Sequence, residues 1–136
     1  MNSVLLSAGG IDDFLVYFAV SLALVGAFLA LYVRVTPYRE FALIRDGNLA
    51  ASLSLSGALL GFIVPLASAV AHSVSLLDMA LWGVVALAIQ IAAYLVARAL
   101  LPGIARDIPA GKTASGAFVG ALSLGVGVLN AACMTY

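Results

Sequence analysis

The chain has 136 residues, of which 65% are hydrophobic and only 9% are charged, and its formal net charge is +0 at pH 7. Soluble domains carry about a quarter charged residues, so this composition excludes an ordinary soluble protein. Without a net basic charge there is also no field that would attract nucleic acid. We therefore expect an integral membrane protein whose partners are membrane lipids and other proteins, with no nucleic acid among them.

Four apolar runs follow one another along the chain, each close to the ~20 residues that a helix needs to cross the hydrocarbon layer. They occupy about 14–35, 49–71, 79–100 and 113–134. The first run lacks the basic start and the cleavage pattern of a secretory signal, so we interpret it as a retained span. The predicted fold is an all-α membrane protein, a single membrane domain over 1–136 with four transmembrane helices.

All the cationic residues lie in two stretches, which follow the first and the third apolar runs. Because cytoplasmic loops hold an excess of Lys and Arg, both stretches are predicted to face the cytoplasm, with the N-terminus and the C-terminus outside. We expect a multi-pass membrane protein. The cytoplasmic basic loops contain Arg34, Arg39 and Arg45, then Arg98, Arg106 and Lys112.

The first basic stretch has the pattern of a short helix on the membrane surface. Thr36 can cap this helix, Pro37 suits its first position, and Gly47 follows its end. Tyr38 and Phe41 would then face the bilayer, while the arginines face water. An ordinary charged loop that only sets the topology fits the same residues equally well.

Identical residues recur in the two halves of the chain at one constant spacing. Both halves also share the order of apolar run, Arg, Pro-containing basic loop, Gly and small-residue helix. We predict a tandem duplication, with repeat one over about 12–72 and repeat two over about 76–136. Since each unit crosses the membrane twice, the copies share one orientation and form parallel repeats. The matched pairs are Arg34 and Arg98, Ile44 and Ile108, Gly47 and Gly111, Ala50 and Ala114, Gly61 and Gly125, and Ala67 and Ala131.

Odd and even spans differ in the size of their side chains. Spans one and three carry the large rings, which we expect to face lipid: Phe14, Tyr17, Phe18, Phe28, Tyr32, Trp82 and Tyr94. Spans two and four are rich in small residues, which let helix backbones approach closely. These spans are therefore predicted to form the packed interior or a subunit seam. The close-packing residues are Gly57, Gly61, Gly116, Gly120 and Gly125.

Neutral polar residues inside the spans are candidates either to line a pathway or to pack helices together. No charged side chain lies near the middle of a span, which argues against a pump or a proton-coupled carrier. Gln90 needs partners, because an unpaired amide in hydrocarbon costs several kcal/mol. Pro65 removes a backbone donor and is predicted to kink span two. The candidates are Ser52, Ser56, Gln90, Ser123 and Asn130.

One polar column, formed by Asn48, Ser52 and Ser56, enters the predicted membrane region from the cytoplasmic side. A capped helix start is the favoured interpretation of this column, and a polar entry is the alternative. His72 and Asp78 provide too few ligands for a metal site. Because no nucleophile, base and metal set is visible, we expect no enzyme activity and no cofactor.

Most of the chain resembles a known family in its sequence. The strings EFALIRDGNLAASLSLSGALLGFIVPLASA, DMALWG, LLPGI and LNAACM resemble the YjfL-like family of small bacterial inner-membrane proteins, which is classed as a domain of unknown function. The resemblance extends from about Phe14 to Met134. It implies a tandem of two-helix units, and it implies no catalytic or binding residues because the family has no established activity.

Two functions remain open at this point. The first is a homo-oligomer with a channel or a small-solute or cation transport role, which needs several copies because four helices enclose little room. The alternative is a structural or adaptor protein in envelope maintenance. Its basic loops would then bind anionic lipid or a cytoplasmic protein partner.

Overall fold

The computed structural model describes residues 2–134, with side chains from residue 9 onward. Within those residues the chain forms helices and no strand. Four of the helices contain stretches long and apolar enough to cross a membrane, over Gly9–Val35, Leu49–His72, Leu76–Leu100 and Thr113–Cys133. The predicted all-α fold with four spans is confirmed. The helices are α1 Asn2–Val35, α2 Glu40–Arg45, α3 Leu49–His72, α4 Leu76–Leu100, α5 Ile104–Asp107 and α6 Thr113–Cys133.

Two helix starts differ from those predicted. Helix α1 begins at Asn2, well before the predicted span, because no proline interrupts the helix before the apolar run. Helix α2 begins at Glu40, and its N-cap is Arg39 without a side-chain cap. The expectation that Thr36 caps this helix was wrong, because the Thr36 hydroxyl bonds the Glu40 side chain.

Helices α3 and α6 make the most extensive contact in the bundle. Glycines bring their backbones together, since a Cβ atom added to Gly116 would overlap the backbone of Ala50, and one added to Gly127 would overlap Gly61. In a membrane, helices associate chiefly through such packing, because lipid tails are as apolar as the side chains. This pair is the centre of the fold.

Large rings from three helices fill the space beside this pair. Phe28 of α1 stacks on Phe62 of α3 with ring centroids 4.7 Å apart. Tyr32 meets Tyr94 of α4 edge to face at 5.4 Å. Phe28, Tyr32 and Tyr94 are fully buried, so the expectation that the rings of spans one and three face lipid was wrong for them. Buried alanines of α3 and α4 leave the volume that these rings occupy.

The two turns that contain α2 and α5 lie at the same end of the bundle, here called the basic end. The first basic turn comprises residues 36–48, and the second comprises residues 100–112. The Asn48 Nδ2 donates to the Ile108 carbonyl at 2.8 Å, which joins the two turns. In each turn a glycine with positive φ ends the short helix, Gly47 at 84° and Gly111 at 81°.

Backbone hydrogen bonds of the two basic turns also correspond at a spacing of 64 residues. Each pair joins equivalent positions with nearly equal lengths. The pairs are Gly47 N to Ile44 O at 3.0 Å and Gly111 N to Ile108 O at 3.0 Å, then Asn48 N to Leu43 O at 2.9 Å and Lys112 N to Asp107 O at 3.0 Å.

Candidate functional site

Gln90 is fully buried where α3, α4 and α6 meet. Its Nε2 donates to the carbonyl oxygens of Ala58 at 3.3 Å and Ser123 at 3.0 Å. One amide therefore links three helices. Its Oε1 and the Ser123 hydroxyl are buried without a hydrogen-bond partner among the described residues.

The surroundings of Gln90 are closed. A Cβ atom added to Gly61 would overlap both the Gln90 Nε2 and the Ser123 backbone, and Gly127 packs against the Gly61 carbonyl from the other side. A solute would need these backbones to separate. Within this chain, Gln90 thus provides hydrogen bonds between helices, and there is no space for a passage beside it.

The serines of α3 occupy two different environments. Ser52 is half-buried and Ser56 is exposed, so both reach the outer surface of the bundle. Ser54, which was not predicted as a site residue, is fully buried near the Tyr32 hydroxyl. The capped helix start predicted at the foot of this column is present, because Asn48 Oδ1 accepts the Ala51 N–H at 2.9 Å.

Asn130 and Pro65 lie in the half of the bundle away from the basic end. Asn130 is half-buried, and its Nδ2 has no partner among the described residues. Pro65 is buried inside α3, which continues through it as one helix from Leu49 to His72. The carbonyl that Pro65 leaves without its helical donor, that of Gly61, faces Gly127.

Four of the five predicted close-packing glycines lie against another helix: Gly57, Gly61, Gly116 and Gly120. Gly125 is exposed, with no atom near the place of a Cβ, so it does not pack inside the bundle, and a subunit seam stays a prediction for this residue. Gly127 packs on α3 in its place. Two residues along a helix is more than half a turn, so Gly125 and Gly127 point to different sides.

A buried carboxyl that sequence reasoning missed lies in the first basic turn. Glu40 is 1% exposed, although it stands at the start of a short helix at the end of the bundle. Thr36 Oγ1 donates to its Oε1. Its Oε2 is buried and has no hydrogen-bond partner among the described residues.

Tyrosines surround this carboxyl. Tyr38, expected to face the bilayer, is buried beside it, and the Tyr94 hydroxyl donates to the Tyr38 hydroxyl at 3.4 Å. Burial raises the pKa of Tyr38, so its phenol stays neutral. Burial also raises the pKa of Glu40 from its ordinary 4.5 to about 7, against a smaller lowering by the Thr36 hydrogen bond. A sequence signal did exist, because Thr36 and Glu40 stand four residues apart.

The cationic side chains contrast with Glu40 in their exposure. Arg98 is half-buried and the other five are exposed. In the part of the chain with described side chains, one salt bridge occurs, between Lys112 and Asp107 at 3.5 Å. The basic end therefore presents guanidinium groups that are free of carboxylate partners.

Comparison with known proteins places this chain in a family. The family model described as Domain of Unknown Function (DUF350) matches residues 5–134. The chain belongs to this family. It is also 42% identical over 123 residues to the UPF0719 inner membrane protein YjfL of Escherichia coli (strain K12), a match that covers 90% of this chain and 93% of that protein. The protein of the same name from Escherichia coli O157:H7 matches equally.

No solved structure matches this chain. The resemblance to the YjfL-like family is confirmed, and so is the location, since the relative is an inner-membrane protein and this chain has four apolar helices able to span a membrane.

Proposed function

We propose that this protein is not an enzyme but one subunit of a homo-oligomer that lets a small solute or cation cross the inner membrane, along a path between subunits. The closed contact of α3 with α6 supports a path outside the subunit, because Gln90, Gly61 and Ser123 fill the place where an internal path would run. Ser52, Ser56 and Asn130 are the polar groups nearest to such a path.

The outer face of α6 supports the oligomer, and this observation carries the proposal. Small exposed residues follow helical spacing along this face, interrupted by Val128 and bordered by Phe118 and Leu129. A second helix can approach closely at the small positions. Gly125 has open space around it. The face comprises Ala114, Ala117, Ala121, Gly125 and Ala132.

We further propose that the subunit is a tandem of two parallel repeats, with the basic end in the cytoplasm and both chain termini outside. The matched hydrogen bonds of the two basic turns support the duplication. The exposed cations at the basic end support the orientation, because Lys and Arg accumulate on the cytoplasmic side.

Leucine substitution at three glycines tests the oligomer. We expect Gly125→Leu to dissociate it without unfolding the subunit, since the added side chain meets only the neighbouring copy. Gly127→Leu should prevent folding, because Gly127 packs on the α3 backbone. Gly26→Leu is the control, since Gly26 of α1 is likewise exposed with open space. Size-exclusion chromatography with light scattering in mild detergent measures both outcomes, and a monomeric wild type would refute the proposal.

Cation flux into liposomes tests the path. We expect Ser56→Leu to lower the flux while the oligomer remains intact. If Gln90→Leu abolishes flux in a folded oligomer and Ser56→Leu has no effect, the path lies inside the subunit and our proposal is wrong. Absence of flux in the wild type, across cations and small neutral solutes, would reject transport altogether.

The second candidate is an adaptor or structural role in envelope maintenance, which the exposed guanidinium groups of the basic end favour. Such groups bind phosphate in bidentate geometry. Neutralising Arg39, Arg45 and Arg106 together should then reduce retention of phosphatidylglycerol, measured by native mass spectrometry. Unchanged lipid retention, and unchanged recovery of co-purifying cytoplasmic proteins, would reject this role.

A further inference from the structure

We propose that Glu40 is a proton-binding site at the basic end of the bundle, and that loss of its proton releases α2 from the helices it packs on. The ligand is a proton from the adjoining aqueous phase. This inference does not depend on what crosses the membrane, because it concerns the docking of α2 within one subunit.

The geometry around Glu40 suits the neutral acid better than the carboxylate. The side chain is buried, Oε2 has no partner, and no cation forms an ion pair with it among the described residues. A carboxylate removed from water without a counter-ion is strongly disfavoured, and it takes up a proton instead.

The groups that face Glu40 from the other elements supply no positive charge to it. Tyr32 and Thr36 come from α1 and the residue after it, and Tyr94 comes from α4. Ser54 of α3 lies behind Tyr32. Arg98 of α4 acts on the Tyr94 hydroxyl and makes no ion pair with Glu40. Within α2 and its entry, Arg39 and Arg45 are exposed, and Tyr38 is a neutral phenol.

Thr36 can bond Glu40 in both protonation states. With the carboxylate, the Thr36 hydroxyl donates to Oε1. With the neutral acid, the carboxyl O–H donates to Thr36 Oγ1, whose own hydrogen turns to the Val33 carbonyl 3.3 Å away or the Tyr38 carbonyl 3.4 Å away. The bond between Thr36 and Glu40 therefore does not hold the carboxyl in its charged form.

The equivalent position of the second basic turn shows that the fold does not need a carboxyl here. Ile104 stands 64 residues after Glu40 and is fully buried at the start of α5. An apolar side chain therefore suffices to dock a short helix at this place. The acid in the first turn adds sensitivity to pH, which an isoleucine does not provide.

The raised pKa agrees with this geometry, because it places the titration near neutral pH. When α2 leaves the bundle, the carboxyl enters water and returns to its ordinary pKa. Docking and proton binding therefore favour each other. As pH rises from about 4.5 to about 7 the docked state loses this advantage, and the population with α2 released increases.

A hydrophobic carbodiimide tests the proton site, because dicyclohexylcarbodiimide modifies protonated carboxyls in apolar surroundings. In the full-length protein in lipid nanodiscs, intact mass should show one adduct at pH 6, localised to Glu40 by peptide mapping. Its formation rate should fall about tenfold per pH unit above pH 7. Glu40→Gln and Glu40→Ile should form none. A pH-independent rate, or the same adduct in either variant, would overturn the proposal.

Cysteine reactivity tests the release of α2. In a Cys133→Ser background, Leu43→Cys reports the face of α2 packed on the core, and Phe41→Cys on the exposed face is the matched control. Dividing the maleimide reaction rate of Leu43→Cys by that of Phe41→Cys cancels the pH dependence that both thiols share. We expect this ratio to rise at least threefold from pH 6 to pH 8, and to stay constant with Glu40→Gln or Glu40→Ile. A constant ratio with Glu40 present, or a rise that persists in both variants, would refute the release.

Discussion

The first and second basic turns have the same backbone hydrogen bonds and the same left-handed glycine, yet they bury different side chains. Glu40 in the first turn occupies the position of Ile104 in the second. Asn48, which caps α3 and bonds the second turn, occupies the position of Lys112, which makes no side-chain cap for α6. The backbone pattern thus sets the shape of both turns, while the polar side chains of the first turn add chemistry that the shape does not require.

The same contrast continues into the helices that follow the turns. Ser52 of α3 and Gly116 of α6 are equivalent positions, but Ser52 reaches the outer surface whereas Gly116 lies against the Ala50 backbone. The two helices therefore turn corresponding positions toward different surroundings. Four paired substitutions measure how far corresponding positions differ.

The largest effect is expected at Gly116. A leucine there would overlap the Ala50 backbone, so Gly116→Leu should prevent the α3–α6 contact and abolish folding. Ser52→Leu, at the equivalent position, should change the free energy of unfolding by less than about 1 kcal/mol. Circular dichroism during unfolding in mixed detergent measures both. Equal loss from the two variants would contradict the different surroundings of Ser52 and Gly116.

Exchanging the buried residues Glu40 and Ile104 should change the free energy of unfolding in opposite directions. Ile104→Glu places a carboxyl where no threonine precedes it by four residues, since Leu100 stands there, and should cost about 3–5 kcal/mol at pH 8. Glu40→Ile should be neutral or stabilise by about 1–4 kcal/mol.

The pH dependence of stability provides a further comparison between wild type and Glu40→Ile. Because folding raises the pKa of Glu40 from 4.5 to about 7, the folded chain binds more protons than the unfolded chain between these values. Wild-type stability should therefore fall as pH rises from about 4.5 to about 7, and level off above. This fall should be much smaller in Glu40→Ile. An equal fall in both proteins would place the titrating group elsewhere.

A smaller effect is expected at the helix caps. Asn48→Ala removes the cap on the Ala51 N–H and the bond to the Ile108 carbonyl, and should destabilise by about 2 kcal/mol. Lys112→Ala removes only an exposed ion pair with Asp107 and should cost less than about 1 kcal/mol. Thermal unfolding of both variants beside wild type distinguishes them, and equal shifts would argue against the bond between the turns.

The smallest difference within a pair is expected at the two glycines that follow the short helices. Gly47 and Gly111 both adopt positive φ with open space around them, so alanine at either is limited only by backbone strain of about 1–2 kcal/mol. We expect Gly47→Ala and Gly111→Ala to lower the unfolding free energy equally within error. Unequal losses would mean that Gly47 and Gly111 have different surroundings, although their turns share the same backbone hydrogen bonds.

The sequence predicted those features that depend on length and periodicity. Four apolar runs gave four spans with nearly correct bounds, because a span needs a fixed length of apolar residues. Small-residue spacing identified Gly57 and Gly116 at the central contact. It did not show that Gly125 lies outside this contact, since the spacing of glycines does not reveal which side of a helix meets a neighbour.

The polar cluster could not be predicted in the same way. The membrane-surface pattern of the first basic turn suggested that Tyr38 faces lipid, whereas the rings of Tyr32 and Tyr94 enclose it from other helices. Burial of Glu40 depends on these contacts across the bundle, which periodicity within one segment does not contain. Thr36 was misassigned for a local reason, because its hydroxyl bonds the Glu40 side chain four residues later instead of a backbone N–H of α2.

The bond from Asn48 to Ile108 also constrains the order of biogenesis. Its acceptor is synthesised 60 residues after its donor, so the first hairpin enters the bilayer with this amide still bonded to water or lipid. Completion of the first turn waits until the second hairpin has been inserted. Separately expressed hairpins should therefore recognise each other at this end, and a ribosome stalled after the second span would leave a half-finished protein that quality-control proteases can distinguish.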